Sequence, residues 1–316
     1  MSALPVAFIV FDNFQSMSLA AQSVFEYANV CAERNLYEMV VLSERGGVVR
    51  SSGGLSVVTE PFDDRLVDTV IMGSGDDLIE TVPMNVVEFL KRSAPKTRRT
   101  ASICSGAFAL ASASLLDGRR ATTHWNYARQ LQARYPRIKV DEDRIFVIDG
   151  SIWTSAGMTA GIDLALAMVE MDLGREIARR VAQKLVVYHW RSGGQSQHST
   201  LLELAPKSDR IQAALAYARR NLTSALPVEQ LADTAHLSPR QFSRVFRAET
   251  GQSPAKAIEK LRLEAARILL EDGRHTVGEI AAQTGFNDGR RMREAFSRAF
   301  GQSPGMLRRR GGSESA

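Results

Sequence analysis

One short unit occurs twice near the C-terminus, about fifty residues apart, and it constrains the fold more than any other feature of the chain. The first copy runs Leu231-Ala232, Leu237-Ser238-Pro239, Phe242, Phe246 and Gly251-Gln252-Ser253-Pro254. The second runs Ile280-Ala281, Gly285-Phe286, Met292, Phe296 and Gly301-Gln302-Ser303-Pro304. The apolar positions keep helical spacing in both copies, and the second helix of each is rich in arginine. Two such units side by side read as paired helix-turn-helix modules, which makes double-stranded DNA the first partner to expect.

In a helix-turn-helix the second helix enters the major groove and presents its N-terminal residues to base edges. Ser238 is placed to cap that helix in the first module, with Pro239 at the first helical position, where a missing N–H costs nothing. Phe242, Val245 and Phe246 share its inward face, which leaves Arg240, Gln241, Ser243, Arg244 and Arg247 facing out. Arg240, Ser243 and Arg244 are expected at bases and Arg247 at a phosphate, because arginine and glutamine forks match guanine and adenine edges. In the second module Asn287 or Asp288 caps, Met292, Ala295 and Phe296 turn inward, and Arg290, Arg291, Arg293 and Arg298 remain outside with Glu294. Charge agrees with this placement. From Asp209 onward there are 18 Lys and Arg against 12 Asp and Glu, a net of +6 in a chain whose formal total is +5. The positive balance therefore sits in the repeated region, where it can displace counterions from phosphates.

The first 190 residues read differently. Apolar runs at 4–11, 37–43, 67–72 and 99–103 alternate with helical stretches at 17–33, 82–92 and 105–116. A hairpin is expected around Asp149-Gly150 and mainly helix over 160–189, while 45–61 reads as turns with a short strand near Leu55–Val58. Such alternation predicts an α/β domain, a flavodoxin-like doubly wound sheet, ahead of an all-α domain with two helix-turn-helix modules. The expected boundaries are 1–190 for the effector-sensing and dimerisation domain, 191–208 for a linker, 209–310 for the DNA-binding domain and 311–316 for a disordered tail. The N-terminus has no basic region and its apolar run is too short to span a membrane, so it reads as a buried strand and cytoplasmic residence is expected.

Cys31 and Cys104 are the only cysteines, which excludes a disulfide framework. Cys104 sits between a strand and the small-residue helix SGAFALASASLL, an elbow where helix N–H groups are expected to favour thiolate. Gly73-Ser74-Gly75 ends the neighbouring strand and offers N–H groups to a carboxylate or oxyanion. Ser105 follows the cysteine, and His124 completes a Cys–His pair if the fold brings it close. Trp125 and Trp153 flank these segments and are candidates to face a cationic or methylated amine. Neither a metal nor a cofactor is expected.

Two resemblances sharpen this reading. Residues 225–307, through LSPRQFSRVFRAETGQSP, LRLEAARILLEDG, IAAQTGFND and AFSRAFGQSP, resemble the DNA-binding domain of the AraC family of bacterial transcriptional regulators. That implies promoter binding with one module per major groove, and activation through RNA polymerase. Gly289 and Met292 depart from the family's usual proline-like cap and aromatic, which implies weaker base reading by the second module. Residues 4–190, through SICSGAFALASASLLDGRRATTHW and IWTSAGMTAGIDLALAMV, resemble the PfpI-like branch of the class I glutamine-amidotransferase-like fold, in the form fused to AraC-type domains in GlxA-like regulators. By that resemblance Cys104 is the elbow cysteine and His124 the histidine beside it.

Ser105 stands where family hydrolases carry histidine, and Ser18 where related regulators carry an acid. No third triad member can be named, with Glu26 the nearest carboxylate farther along the helix. The implied protein is not an enzyme. It is a dimeric regulator that responds to a small nitrogenous metabolite and activates a catabolic operon for an amino acid, amine or betaine-like compound. The alternatives are a cysteine-dependent hydrolase or dicarbonyl-processing enzyme fused to a DNA-binding domain, a redox sensor acting through Cys104, and a first domain that serves only as a dimerisation scaffold.

Overall fold

A computed structural model describes residues 3–187, 190–197, 204, 206–272, 274–286, 288–300 and 303–306. The chain divides into two compact units, 1–193 and 194–316. The tail at 311–316 and most of 198–205 lie outside the described residues. No helix among the described residues is long and apolar enough to cross a membrane.

The first unit is built on β1 (Leu4–Ile9), β2 (Tyr37–Ser43), β3 (Arg45–Arg50), β4 (Ser56–Pro61), β5 (Thr69–Met72), β6 (Arg99–Ile103), a small pair β7 (Arg120–Ala121) and β8 (Lys139–Val140), then β9 (Phe146–Asp149) and β10 (Ile152–Ser155). Eight of them form one sheet in the order β3-β4-β2-β1-β5-β6-β10-β9, parallel except for the two edge hairpins. The helices are α1 (Gln22–Ala32), α2 (Asp77–Glu80), α3 (Met84–Ser93), α4 (Gly106–Ser112), α5 (Trp125–Arg134), α6 (Met158–Leu173) and α7 (Arg175–Lys184). Strand side chains alternate between two apolar layers, as the period of two requires. Ala7, Ile9, Val70 and Met72 pack with α3 and α4, while Val6, Phe8, Ile71 and Ile103 pack with α1, α6 and α7. Both faces of the central strands are covered, which explains their uninterrupted apolar runs.

Four differences from the expected organisation stand out. Arg45–Arg50, read as turns, is an edge strand paired with β4; Gly46 and Gly47 hid it, and one of its faces is exposed. The helix Trp125–Arg134 was not expected. The helical stretch after residue 158 is two helices, broken at Gly174. Residues 191–193, assigned to the linker by pattern, fold back on the first unit. Arg191 donates from Nε and its backbone N–H to the buried Asp163 carboxylate (2.9 Å each), and Gly193 O accepts from Phe146 N–H (3.3 Å).

At the amino ends of β5 and β6 lies a charged cluster. Arg98 bridges Asp68 and Asp172 (2.8 and 2.6 Å), Arg99 pairs with Asp172, and Tyr37 donates to the same carboxylate at 3.0 Å. This cluster is at the end of the sheet opposite the elbow.

The second unit contains α8 (Asp209–Arg220), α9 (Val228–Thr234), α10 (Pro239–Thr250), α11 (Pro254–Asp272), α12 (Val277–Gln283) and α13 (Gly289–Phe300). The repeat is visible in matching hydrogen bonds. Leu237 N–H donates to Ala232 O at 3.0 Å, and Phe286 N–H to Ala281 O at 2.8 Å. The turn residue before each, His236 and Gly285, is left-handed in both copies. The first GQSP ends α10 with the left-handed Gly251 and begins α11 at Pro254, so one short motif both stops a helix and starts the next. Each module has its own core, and α11 contributes to both: Ala257, Ile258 and Leu261 to the first, Leu263, Ala266 and Leu270 to the second.

Candidate functional site

In an open α/β sheet, ligands enter at the carboxyl ends of strands where the strand order reverses. Here the reversal lies between β1 and β5, so the crevice is walled by the residues following Ile9 and Met72, with the Cys104 elbow one strand farther on. Cys104 adopts φ 54°, a left-handed backbone that non-glycine residues take only under local compulsion. The compulsion is visible. Its N–H donates to Ser155 O (3.1 Å), and its carbonyl accepts from Thr123 Oγ1 (2.8 Å). Gly106 lets α4 approach the end of β5, since a Cβ there would meet the carbonyls of Met72 and Gly73 at 2.7 Å.

The expected thiolate is not favoured. Burial, with 4% of Cys104 exposed, pushes its thiol up to about 11; the Ser105 backbone N–H lowers it only in part, and the Asp76 charge raises it further. At pH 7 the thiol is therefore protonated. Two of the three N–H groups of the glycine loop are already engaged. Gly73 N–H donates to Ile9 O and Gly75 N–H to Ser105 Oγ, both at 3.0 Å, while Ser105 Oγ donates back to Gly75 O at 2.8 Å. Ser105 and Gly75 thus hold each other in place. Ser18 is buried against Gly73 and donates to Gln15 O at 2.7 Å, so the position of the missing acid does lie at this crevice.

Asp76 is the carboxylate that sequence reasoning missed. Its Oδ1 accepts from Gln15 Nε2 at 3.0 Å, and Gln15 Oε1 accepts from Ser74 Oγ at 3.0 Å. Tyr127 joins it from the first turn of α5; burial and then the Asp76 charge push the Tyr127 phenol up. The only sequence signal was its place directly after the glycine loop. His124 caps α5, with Nδ1 accepting from Asn126 N–H at 3.2 Å, which puts the proton of a neutral ring on Nε2. Its ring lies 5.4 Å from Trp125 and 5.7 Å from Tyr127 between centroids, and Trp125 is 49% exposed. Trp153 does not join them. It is 2% exposed in the core, with the Arg99 guanidinium 5.5 Å over its ring, so the expectation that it lines the pocket is corrected.

These values carry a testable consequence. In a Cys31→Ser background, alkylation of Cys104 by iodoacetamide is expected to keep rising steeply with every pH unit up to about pH 10, whereas an unperturbed thiol, with a pKa of ~8.5, nears its plateau by then. Asp76→Asn is expected to lower the midpoint. A plateau reached by about pH 10 in the unsubstituted pocket would show that burial does not control the thiol.

In the DNA-binding unit Arg240, Gln241, Arg244 and Arg247 are exposed along α10, and Ser243 is half-buried. Arg240, Arg244 and Arg247 make no ion pair among the described residues, so their forks are available. Gln241 is less so, because its Oε1 accepts from Ser238 N–H and Oγ (3.2 and 2.9 Å) in a capping box. As a DNA-binding candidate it therefore offers its amide N–H groups, its carbonyl oxygen being engaged in the cap. In α13, Asp288 is the cap, accepting from Arg290 N–H at 2.8 Å. Arg290, Arg291, Arg293 and Arg298 are all exposed, but Arg290 pairs with Asp288 and Glu294, and Arg298 with Glu259.

Comparison with known proteins follows the same division. The DJ-1/PfpI family matches residues 5–171, and the helix-turn-helix domain family matches residues 231–310. The chain is 34% identical over 313 residues to the HTH-type transcriptional regulator GlxA of Rhizobium meliloti, across 98% of this chain and 96% of that protein. It is 31% identical over 303 residues to the HTH-type transcriptional regulator GbdR of Pseudomonas aeruginosa, across 95% of this chain and 82% of that one. A crystal structure of an AraC family transcriptional regulator from Pseudomonas putida covers 58% of this chain and 99% of its own, with a TM-score of 0.52 at 22% identity, a likeness of fold.

Proposed function

The chain belongs to the GlxA-like branch of the AraC-type transcriptional regulators, with a DJ-1/PfpI-like domain ahead of its helix-turn-helix domain, and from that premise we propose how the two halves divide the work. The first domain receives a small nitrogenous metabolite, an amino acid, amine or betaine-like compound, in the crevice beside Cys104. The second reads a promoter through Arg240, Ser243, Arg244 and Arg247, with Arg291 and Arg293 as the freer arginines of the second module. The protein acts in the cytoplasm as a homodimeric activator of a catabolic operon, in contact with RNA polymerase.

The observation that carries the ligand reading is Asp76. It places an anion at the switch point with the Tyr127 ring beside it and the His124 and Trp125 rings next in line, a set suited to a cation. The same charge works against catalysis, since it discourages the thiolate that an acyl-transfer enzyme needs. The left-handed backbone at Cys104 is a feature that favours an enzyme, because nucleophile elbows share it.

A thermal-shift screen of the full chain against amines, amino acids and betaines tests the reading. A ligand at a hundred times its Kd adds about 2.7 kcal/mol, or roughly 5–10 °C for a domain of this size. Asp76→Asn is expected to abolish the shift, and Cys104→Ser to change ligand affinity while leaving DNA binding intact. Steady turnover of a small amide or dicarbonyl compound that disappears in Cys104→Ser would replace sensing with catalysis.

A further inference from the structure

The Leu222 carbonyl is a point of convergence within the DNA-binding domain. Leu222 lies just past α8, whose apolar face belongs to the core of the first module. Arg262, midway along α11, donates from Nε to Leu222 O at 3.1 Å and from its terminal nitrogen to Ser224 O at 2.6 Å. Gly285, the turn residue of the second module, packs on the same carbonyl. A Cβ at Gly285 would lie 1.9 Å from Leu222 O and 2.8 Å from Arg262 Nε, and its φ of 75° is itself left-handed. One backbone oxygen is therefore touched from the linking helix and from the second module, and it belongs to the first.

Beside this contact the packing between the modules is open. Beside the junction is a cavity of about 450 Å³ bordered by Ile258, Glu259, Phe286, Arg291 and Arg298, so the modules do not share a packed core there. The Arg298–Glu259 pair across it is exposed at both ends and 3.5 Å long, an interaction worth little. The helix α11 can orient both cores, but it leaves the α8 end and the second turn free to shift unless something fastens them. A planar guanidinium with donors to two carbonyls in fixed directions is the fastening group present.

From this geometry we infer that Arg262 is a positioning residue that locks the two helix-turn-helix modules at one separation, so that the protein reads the distance between two half-sites as well as their sequences. Inserting one base pair moves the second half-site about 3.4 Å along the duplex and about 35° around it. A locked pair of modules cannot follow that displacement without giving up one half-site, and a loosened pair can.

The test selects binding sites for the full-length protein from a random duplex DNA pool. Wild type is expected to enrich two half-motifs at a single spacing. Arg262→Gln, which cannot donate to both carbonyls in the same way, is expected to enrich the same half-motifs at several spacings. On defined duplexes one inserted base pair should weaken wild-type binding by about tenfold or more and the variant by less than about threefold, since giving up part of a half-site is of that order. Arg262→Lys should fall between them, because an ammonium can serve either carbonyl. Circular dichroism of Arg262→Gln and Arg262→Ala reports on folding. A single sharp spacing in both variants would overturn the inference, as would enrichment of only one half-motif by wild type. Unfolding of both variants would overturn it too, by making Arg262 a folding residue. Failure of wild type to enrich any motif would remove promoter reading itself, a result separate from all of these.

Discussion

Asp172→Ala is expected to destabilise the first domain by about 3–5 kcal/mol at pH 7, the usual cost of removing one partner from a buried ion pair. Asp172 and Arg99 are each 5% exposed, and three groups converge on this one carboxylate: Arg98, Arg99 and Tyr37. Removing it leaves the Arg99 guanidinium buried over Trp153 with its main counter-charge gone. Burial by itself would raise the Asp172 carboxyl, but the Arg98 hydrogen bond and the Arg99 charge and hydrogen bond outweigh it and hold the group below the usual carboxylate range. A depressed folded-state pKa contributes stability that is present above the unfolded value of ~3.9 and is lost as pH falls through the folded value. The gap between wild type and variant should therefore be full at pH 7 and shrink below about pH 4. Urea denaturation at both pH values measures it. A gap that stays constant into acid would assign the loss to packing instead of charge. Replacing Arg99 by Met together with Asp172→Leu should recover much of the stability, because a buried pair exchanged for apolar groups of similar volume is often neutral.

The second large effect is expected on DNA. Arg240, Arg244 and Arg247 lie at i, i+4 and i+7 on α10, which puts them in one exposed stripe, and none has an ion-pair partner among the described residues. Replacing all three by Ala should lower specific affinity by about a thousandfold, since reading a base is worth roughly 1–3 kcal/mol and neutralising a phosphate adds to it. The slope of log affinity against log salt should also flatten by about 0.9 for each phosphate that is no longer neutralised. Taken singly, Arg244→Ala should hurt mainly the preferred sequence and Arg247→Ala all sequences alike. The matching set in the second module, Arg290, Arg291 and Arg293, should matter less, because Arg290 already pairs with Asp288 and Glu294. Binding isotherms on specific and scrambled duplexes across a salt series decide between these cases. A larger loss from the second-module set would reverse the assignment of the principal reader.

Both effects sit on features of different legibility. The arginine stripe follows from the spacing of Phe242 and Phe246, because once two positions on a helix are committed to the core the others have no freedom. The cap at Ser238 and the left-handed stop at Gly251 are equally local. The Cys104 elbow could be read in the same way, as a buried strand meeting a helix of small residues. The edge strand Arg45–Arg50 and the helix Trp125–Arg134 were harder, since glycines masked the one and the other has few buried positions, Ala128 and Leu131.

What the sequence alone determined is the division into a doubly wound sheet and two helix-turn-helix modules, together with the faces of the reading helices. Tertiary structure decided which distant groups meet: Asp76 with Gln15 and Tyr127, Arg99 over Trp153, and Arg262 with Leu222 and Gly285. The physical reason is range. Helix and strand periodicity is set by backbone geometry over a few residues and leaves its mark in the order of side chains. The meeting of Asp76 with Gln15 and Tyr127 depends on strand order and on which backbone atoms pack together, and no local pattern records that.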